Sequence, residues 1–504
     1  MTNLNLKAAI SPAITALLLT GCMVGPKYHV PPATQQAPPA AYKESPTQFP
    51  ETDGWKVAQP QDAMLHGKWW EIYNDPELNA LEEQLNINNQ NIKQFFENFM
   101  EARTLVAQAR AQLYPTLSIS PTYQRSRTSA NLQHSSSANT GQQSSIGSLG
   151  LAASWEPDLW GRIRNTIHEA QYNAQLSAAD LENEKLTEQA SLATFFFEIR
   201  GQDALQKVLD ETVAADQKSL DLTRASYDTG IGDRISVVEA ENTLQNAQST
   251  ATSLGVARAQ FEHAIALLVG ANASAFSIPV KPATPAPPAV PIGVPSQLLE
   301  RRPDIAASER NMAAANAQIG IAYAAFYPSL TLAASGGLES STFTHLFDQA
   351  SRTWSIGPTF NETLYDAGLR RAEVNQFISV YNADVASYRQ TVLTAFQQVE
   401  DALATVRILS QQQKQQEAAA LSAQRFVDLA TERYKTGVDP YINVVIAQNT
   451  LLADQQTLTT LKIQQMTASV QLIEALGGGW DVSQLPTPAQ VSQKLNKNET
   501  TIQR

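Results

Sequence analysis

Few side chains in this 504-residue sequence are spaced for catalysis. The six histidines, His29, His66, His134, His168, His263 and His345, are scattered, with no H-E-x-x-H and no i, i+4 pair able to hold zinc on one helix face. No Gly-x-Ser-x-Gly elbow supplies a nucleophile, and no P-loop cradles a phosphate. Glu156 and Asp158 are the one carboxylate pair beside a turn that invites acid/base work, but they stand between an alternating segment and Gly161, which suits electrostatics at a rim. Arg301-Arg302 resembles an anion-binding pair; directly before Pro303 it reads as charges on a turn entering a helix. Trp69-Trp70 could stack a ligand, and burial against helices accounts for it more simply. Gln411, Gln412, Gln413, Gln415 and Gln416 suit a solvated helix face or the coat of a neutral, water-filled lumen. An exported hydrolase is thereby disfavoured: no catalytic residue, metal site or soluble cofactor is expected.

Cys22 is the one residue whose chemistry is well defined. It is the sole cysteine, so internal disulfides and Cys-based zinc sites are excluded. Lys7 and the apolar run from Ala8 to Leu19 form an export signal too short to span a bilayer. Leu19-Thr20-Gly21-Cys22 resembles a bacterial lipobox, whose cleavage leaves Cys22 as an acylated N-terminus. Met23, where an Asp would signal inner-membrane retention, implies sorting to the outer membrane. The formal net charge of -12 and the lack of a dense Lys/Arg run argue against a nucleic-acid partner. Beyond position 21 no apolar stretch reaches the ~20 residues of a spanning helix, so any membrane passage must be made by strands.

The elements that would carry such a passage are duplicated. Tyr227 to Asn242 lies without gaps on Tyr434 to Asn449 at an offset of 207, which also carries Gly161 onto Gly368 and Gly270 onto Gly477. Between Gly161 and Tyr227, and between Gly368 and Tyr434, run 67 positions without proline, rich in Ala, Gln, Leu and Glu. As helices they reach about 100 Å, with coiled-coil spacing at Val392, Ala395, Val399, Ala402 and Val406, and again at Leu254, Ala257, Phe261, Ala264 and Leu268. The segments ahead of them alternate with period 2: Leu117, Ile119, Tyr123; Leu149, Leu151, Ala153, Trp155; Leu330, Leu332, Ala334; Trp354, Ile356, Phe360. The expected organisation is a signal peptide (1–21), a lipidated N-terminal segment (22–77), a first repeat (78–270), a Pro-rich connector (271–302), a second repeat (303–477) and a tail (478–504). Each repeat holds a helix, a strand pair (116–158, 329–363), a long helix (161–227, 368–434) and a returning helix (233–270, 440–476). The fold class is mostly α with a small β part. Four strands cannot close a barrel when the smallest transmembrane barrels have ~8, so two, three or four copies would share one.

The sequence resembles the TolC-like outer-membrane efflux factors, in the lipoprotein branch similar to OprM. The resemblance rests on Cys22-Met-Val-Gly-Pro26-Lys-Tyr28, Trp69-Trp70 before Asp75-Pro76-Glu77-Leu78, Leu299-Glu300-Arg301-Arg302-Pro303-Asp304-Ile305, and Ala475-Leu476-Gly477-Gly478-Gly479-Trp480. It implies a homotrimer with a 12-strand barrel in the outer membrane and a helical tunnel in the periplasm. It further implies a periplasmic adaptor (membrane fusion) protein and an inner-membrane pump. The function so implied is passive export of drugs or other small toxic molecules, the alternative being the exit duct of a type I protein secretion system. A periplasmic coiled-coil adaptor is the other rival, and it is disfavoured because here the strands are hairpins between duplicated helices.

The resemblance also assigns residues. Gly230 and Gly437 match the glycines that face the adaptor's hairpin tips, beside their role as helix exits. Tyr434 matches a tyrosine whose hydroxyl ties the second tip to its neighbour, with Asp233, Arg234 and Ser236 as candidates for the other side; a packing role is equally open. The family's inward aspartates, nine and twelve residues after that tyrosine, are here Asn443 and Ile446. Acidity could have moved to Glu239 or Asp439, and the constriction is expected to be narrowed by Ile442 and Ile446.

Overall fold

A computed structural model describes residues 23–34, 38, 41–44, 67–129, 143–283, 285–288, 290 and 295–493. The signal peptide and Cys22 lie outside the described residues. The main helices are α1 (Pro76–Asn88), α2 (Gln90–Ala111), α3 (Arg162–Asp228), α4 (Arg234–Leu268), α5 (Pro303–Ala324), α6 (Leu369–Lys435) and α7 (Ile442–Ala475). The strands are β1 (Thr116–Arg127), β2 (Gln143–Trp155), β3 (Ser329–Ser340) and β4 (Arg352–Asn361). Both α3 and α6 have 67 residues, about 100 Å at 1.5 Å per residue.

Each long helix is flanked by two shorter ones that meet end to end at mid-height. In the first repeat Asn89, between α1 and α2, donates its side-chain amide to Leu268 O at the end of α4 (3.0 Å). In the second, Arg302 ahead of α5 donates to Ala475 O at the end of α7 (3.0 Å) and forks onto Asp304. Glycine is required at both joints. A Cβ on Gly270 would lie 2.7 Å from Asn88 O, and one on Gly477 would run into Arg301 O. The equivalence of these two glycines across the repeat is therefore a packing constraint. Arg302 serves the joint rather than an anion.

The main core surrounds this joint. Trp69 and Trp70 are buried edge to face, 6.0 Å apart, among Leu78, Leu85, Leu192, Phe196, Ile199 and Ile473. Trp69 Nε1 donates to Gln189 Oε1 at 3.2 Å. The connector is pinned beside this core by a buried ion cluster. Arg200 pairs with Glu77 and Asp203, Arg258 with Asp203 and Glu262, and their guanidinium groups also donate to Pro279 O and Ile278 O (2.8 Å each).

The four strands form one antiparallel meander in the order β1-β2-β3-β4, so the sheet runs continuously across the two repeats. Its register sorts the side chains over the middle of the sheet. Leu117, Ala153, Ala334 and Ile356 stand side by side, as do Ile119, Leu151, Gly336 and Trp354, so one face is apolar across all four strands. The other carries Ser118, Thr122, Ser148, Ser335, Ser355 and Thr359, with cross-strand hydroxyl pairs at Thr122–Ser148 (2.6 Å) and Ser335–Ser355 (2.8 Å). The apolar face is uncovered: Leu117, Ile119, Trp354 and Ile356 are all exposed, and β1 and β4 each present an unpaired edge. Among the described residues no helix is long and apolar enough to cross a membrane.

Aromatic residues mark the junction of sheet and helices. Trp155 Nε1 donates to Leu113 O (2.9 Å), Trp160 Nε1 donates to Pro328 O (2.8 Å), and the Trp160 ring stacks on Tyr327 at 4.8 Å. Glu156 binds Arg162 with both oxygens, and Asp158 accepts from Ile163 N, Arg164 N and the Arg164 guanidinium. Both carboxylates are thus consumed in starting α3.

Candidate functional site

At the end of the helices far from the sheet, α3 turns into α4 through Gly230, and α6 into α7 through Gly437. Their φ values, +70° and +73°, lie in the left-handed region that only glycine enters without cost. Each turn closes its helix with paired backbone bonds: Gly230 N to Tyr227 O and Ile231 N to Ser226 O, Gly437 N to Tyr434 O and Val438 N to Arg433 O, all 2.9–3.0 Å. A Cβ at either glycine would meet nothing within 4 Å, so both tips face open space. The residue after each glycine is apolar and exposed, Ile231 at 87% and Val438 at 61%. Sequence reasoning passed over this matched pair, although the repeat alignment places the two residues opposite each other.

Behind the tips lies a small core of Leu220, Ala240, Leu244, Ala430, Tyr441, Val444, Val445 and Ala447. Tyr434 packs at its edge, its ring edge-on to Tyr441 at 5.2 Å. The buried hydroxyl belongs to Tyr441, which donates to Ser219 Oγ at 2.9 Å and so ties the start of α7 to α3. Tyr441 was missed, although it breaks the internal symmetry, standing where the first repeat has Arg234. Asp216, one turn before Ser219, was also missed. It is 3% exposed, its Oδ1 lacks a hydrogen-bond partner, and burial pushes its carboxyl up to about 6. Burial also raises the Tyr441 phenol, and the neighbouring acids Asp216 and Glu239 act in the same direction.

Of the three candidates for a partner of Tyr434, Asp233 already serves within the chain. Asp233 Oδ1 caps α4 by accepting from Ser236 N at 2.7 Å, and that bond holds its carboxyl below the usual range. Asp439 is not a free turn carboxylate. Arg433 grips both its oxygens at 2.5 and 3.0 Å and, with a contribution from the Asn443 side chain, lowers its pKa. Its charge is neutralised locally, which removes it from any acidic ring. Ile442 and Ile446 are exposed one turn apart on the same face of α7, Asn443 is half-buried between them, and Glu239 is half-buried on α4. The site is therefore a pair of apolar tips, a packed tyrosine core and an aliphatic strip.

The sequence profile of the outer membrane efflux protein family matches residues 81–271 and 294–478, which contain all of these groups. The toluene efflux pump outer membrane protein TtgC of Pseudomonas putida is 31% identical over 476 residues, covering 94% of this chain and 96% of that protein. Outer membrane protein OprJ of Pseudomonas aeruginosa is 31% identical over 482 residues, covering 94% and 96%. Among solved structures, the outer-membrane channel OprN superposes with a TM-score of 0.82 at 26% identity, over 91% of this chain and 100% of that one.

Proposed function

This chain belongs to the outer membrane efflux protein family, and on that premise we propose that it forms a homotrimeric exit duct whose three copies close one twelve-stranded barrel. The observation that carries this is the sheet: a continuous apolar face with both edges unpaired suits lipid outside and strands of further copies on either side. The hydroxyl-lined face then surrounds water, and the long helices continue the duct through the periplasm. No bond is made or broken in the chain; a pump in the inner membrane supplies the energy, and a periplasmic adaptor joins the two. Toluene export by the Pseudomonas putida relative favours small apolar molecules as cargo.

In this reading Ile231 and Val438 bury themselves against the adaptor at the tips that Gly230 and Gly437 shape. Ile442 and Ile446 narrow the periplasmic mouth and exclude water when it is closed, Asn443 lines it, and Glu239 is an acidic group near it. Tyr434 and Tyr441 hold the packed tip. Cys22, one residue before the described Met23, carries lipid chains in the inner leaflet. Light scattering of the detergent-purified protein together with its intact mass tests the assembly: three chains per particle with an acylated Cys22 are expected. A monodisperse monomer would overturn the shared barrel.

A further inference from the structure

The N-terminal strap forms a cleft directly beneath the sheet. Val24 N donates to Trp160 O (3.0 Å), Asn165 donates to Val24 O (3.2 Å) and Asn316 to Pro26 O (3.1 Å). Gly25 lies so close to α5 that a Cβ on it would stand 2.6 Å from Gly320 Cα. Tyr28 then donates to Glu309 Oε1 at 2.5 Å, fixing the strap over α5. Between strap, α5 and α6 remains a cleft of about 710 Å³, lined among others by Lys27, His29, Asn316, Tyr323, Tyr327 and Tyr381. That volume is in the range of small-molecule sites, and the lining mixes aromatic surface with a few polar groups as such sites do.

Position and charge name its occupant. The roof is Tyr327, stacked on Trp160 at the sheet–helix junction, and the strap enters one residue after Cys22. If Cys22 is acylated, as proposed above, its chains lie in the bilayer, so the face carrying the strap is the outer one and its top meets the lipid surface. From Ala324, the last residue of α5 and just before Tyr327, down to Asn316 is about 12 Å along the helix, and a headgroup layer is roughly 5–7 Å thick. Lys27 is exposed and makes no ion pair among the described residues; the neighbouring carboxylate, Glu309, is taken by Tyr28 and Arg310. An ammonium group without a counter-ion, on a cleft also lined by Tyr323, Tyr327 and Tyr381, complements a phosphodiester that carries a glycerol and acyl chains.

We propose that this cleft seats the glycerophosphate headgroup of a phospholipid from the inner leaflet, with Lys27 as its counter-ion and Tyr323 and Tyr381 as donors. The lipid would fill the gap between strap and helices and fix the height of the duct in the membrane. The test uses the intact assembly, reconstituted in nanodiscs of phosphatidylglycerol and phosphatidylethanolamine, extracted into detergent and weighed by native mass spectrometry. Wild type is expected to retain up to one phospholipid per chain. Lys27→Glu should lower retention at least fivefold, the factor for one lysine near an anionic surface, whereas Lys27→Arg should keep it. Equal retention by wild type and Lys27→Glu would overturn the proposal. So would displacement of the lipid by inorganic phosphate at equal concentration, which would indicate a site for soluble anions. Lys27 shielded from amine labelling in a lipid-free assembly would overturn it as well, because a second copy would then fill the cleft. The same spectra report acylation of Cys22 separately, so failure of the anchor and failure of the lipid site are distinguishable.

Discussion

Replacing Asp216 by Asn should tighten the tip in a way that disappears in acid. The Asp216 carboxyl is raised from its ordinary 3.8 to about 6 by burial alone, and the charged groups nearest the Tyr441 hydroxyl, Asp216 and Glu239, are both acidic. Keeping it packed costs about 3 kcal/mol at neutral pH relative to an opened, solvated tip. The sign follows from the direction of the shift. Well below the ordinary 3.8 the group is protonated whether the tip is packed or open, and the penalty is absent; it grows as pH rises towards 6 and then levels off. The packed tip is therefore most stable in acid, and Asn removes the pH dependence. Hydrogen exchange at the amides around Ser219 and Val444, corrected for intrinsic rates, reads this opening. At about pH 7.5 the variant should be protected roughly a hundredfold more than wild type, falling to about threefold at about pH 4. Equal protection at the higher pH, or a difference that grows in acid, would refute the burial of a charged Asp216 as a strain on the closed tip.

Three further outcomes follow from the mouth and tips. Ile446→Asp should create block by divalent cations from the periplasmic side, because three carboxylates at a narrow mouth repel one another and are relieved by a bound cation; wild type should be blocked only weakly, and strong wild-type block abolished by Glu239→Gln would place the acidic ring there instead. Tyr434→Phe should leave resting conductance unchanged within about twofold, since the buried hydroxyl tie is that of Tyr441, whereas Tyr441→Phe should raise it and cost about 1 kcal/mol of tip stability; a large increase from Tyr434→Phe would restore it as a latch between chains. Gly437→Trp should abolish drug resistance in cells while the purified assembly keeps its mass, given the open space around that turn, and loss of assembly would remove the docking role.

Most of the architecture was legible because it repeats. A 67-residue proline-free run admits only a rod, and alternation at Leu117, Ile119 and Tyr123 in a chain without a spanning helix leaves strands as the route through the membrane. The equivalence of Gly270 and Gly477 was visible too, but its cause was not. It depends on where Asn88 O and Arg301 O arrive from other helices, which spacing along one helix does not encode. The site was harder for the same reason. Asp439 was a candidate for the displaced acidity because Arg433, six residues earlier, is brought onto it only by the reversal at Gly437. Asp216 carries no signal in its spacing along the helix, and its burial arises only when the tip is packed. Tyr441 alone left a trace, as a break in the symmetry between repeats.

The central claim is that the chain is a passive conduit, and single-channel recording of the purified assembly in planar lipid bilayers tests it most directly. Discrete, long-lived ionic currents are expected, with openings that become more frequent when Tyr441 is replaced by Phe. Fully assembled, membrane-inserted protein that passes no current in wild type or in Tyr441→Phe would contradict the account.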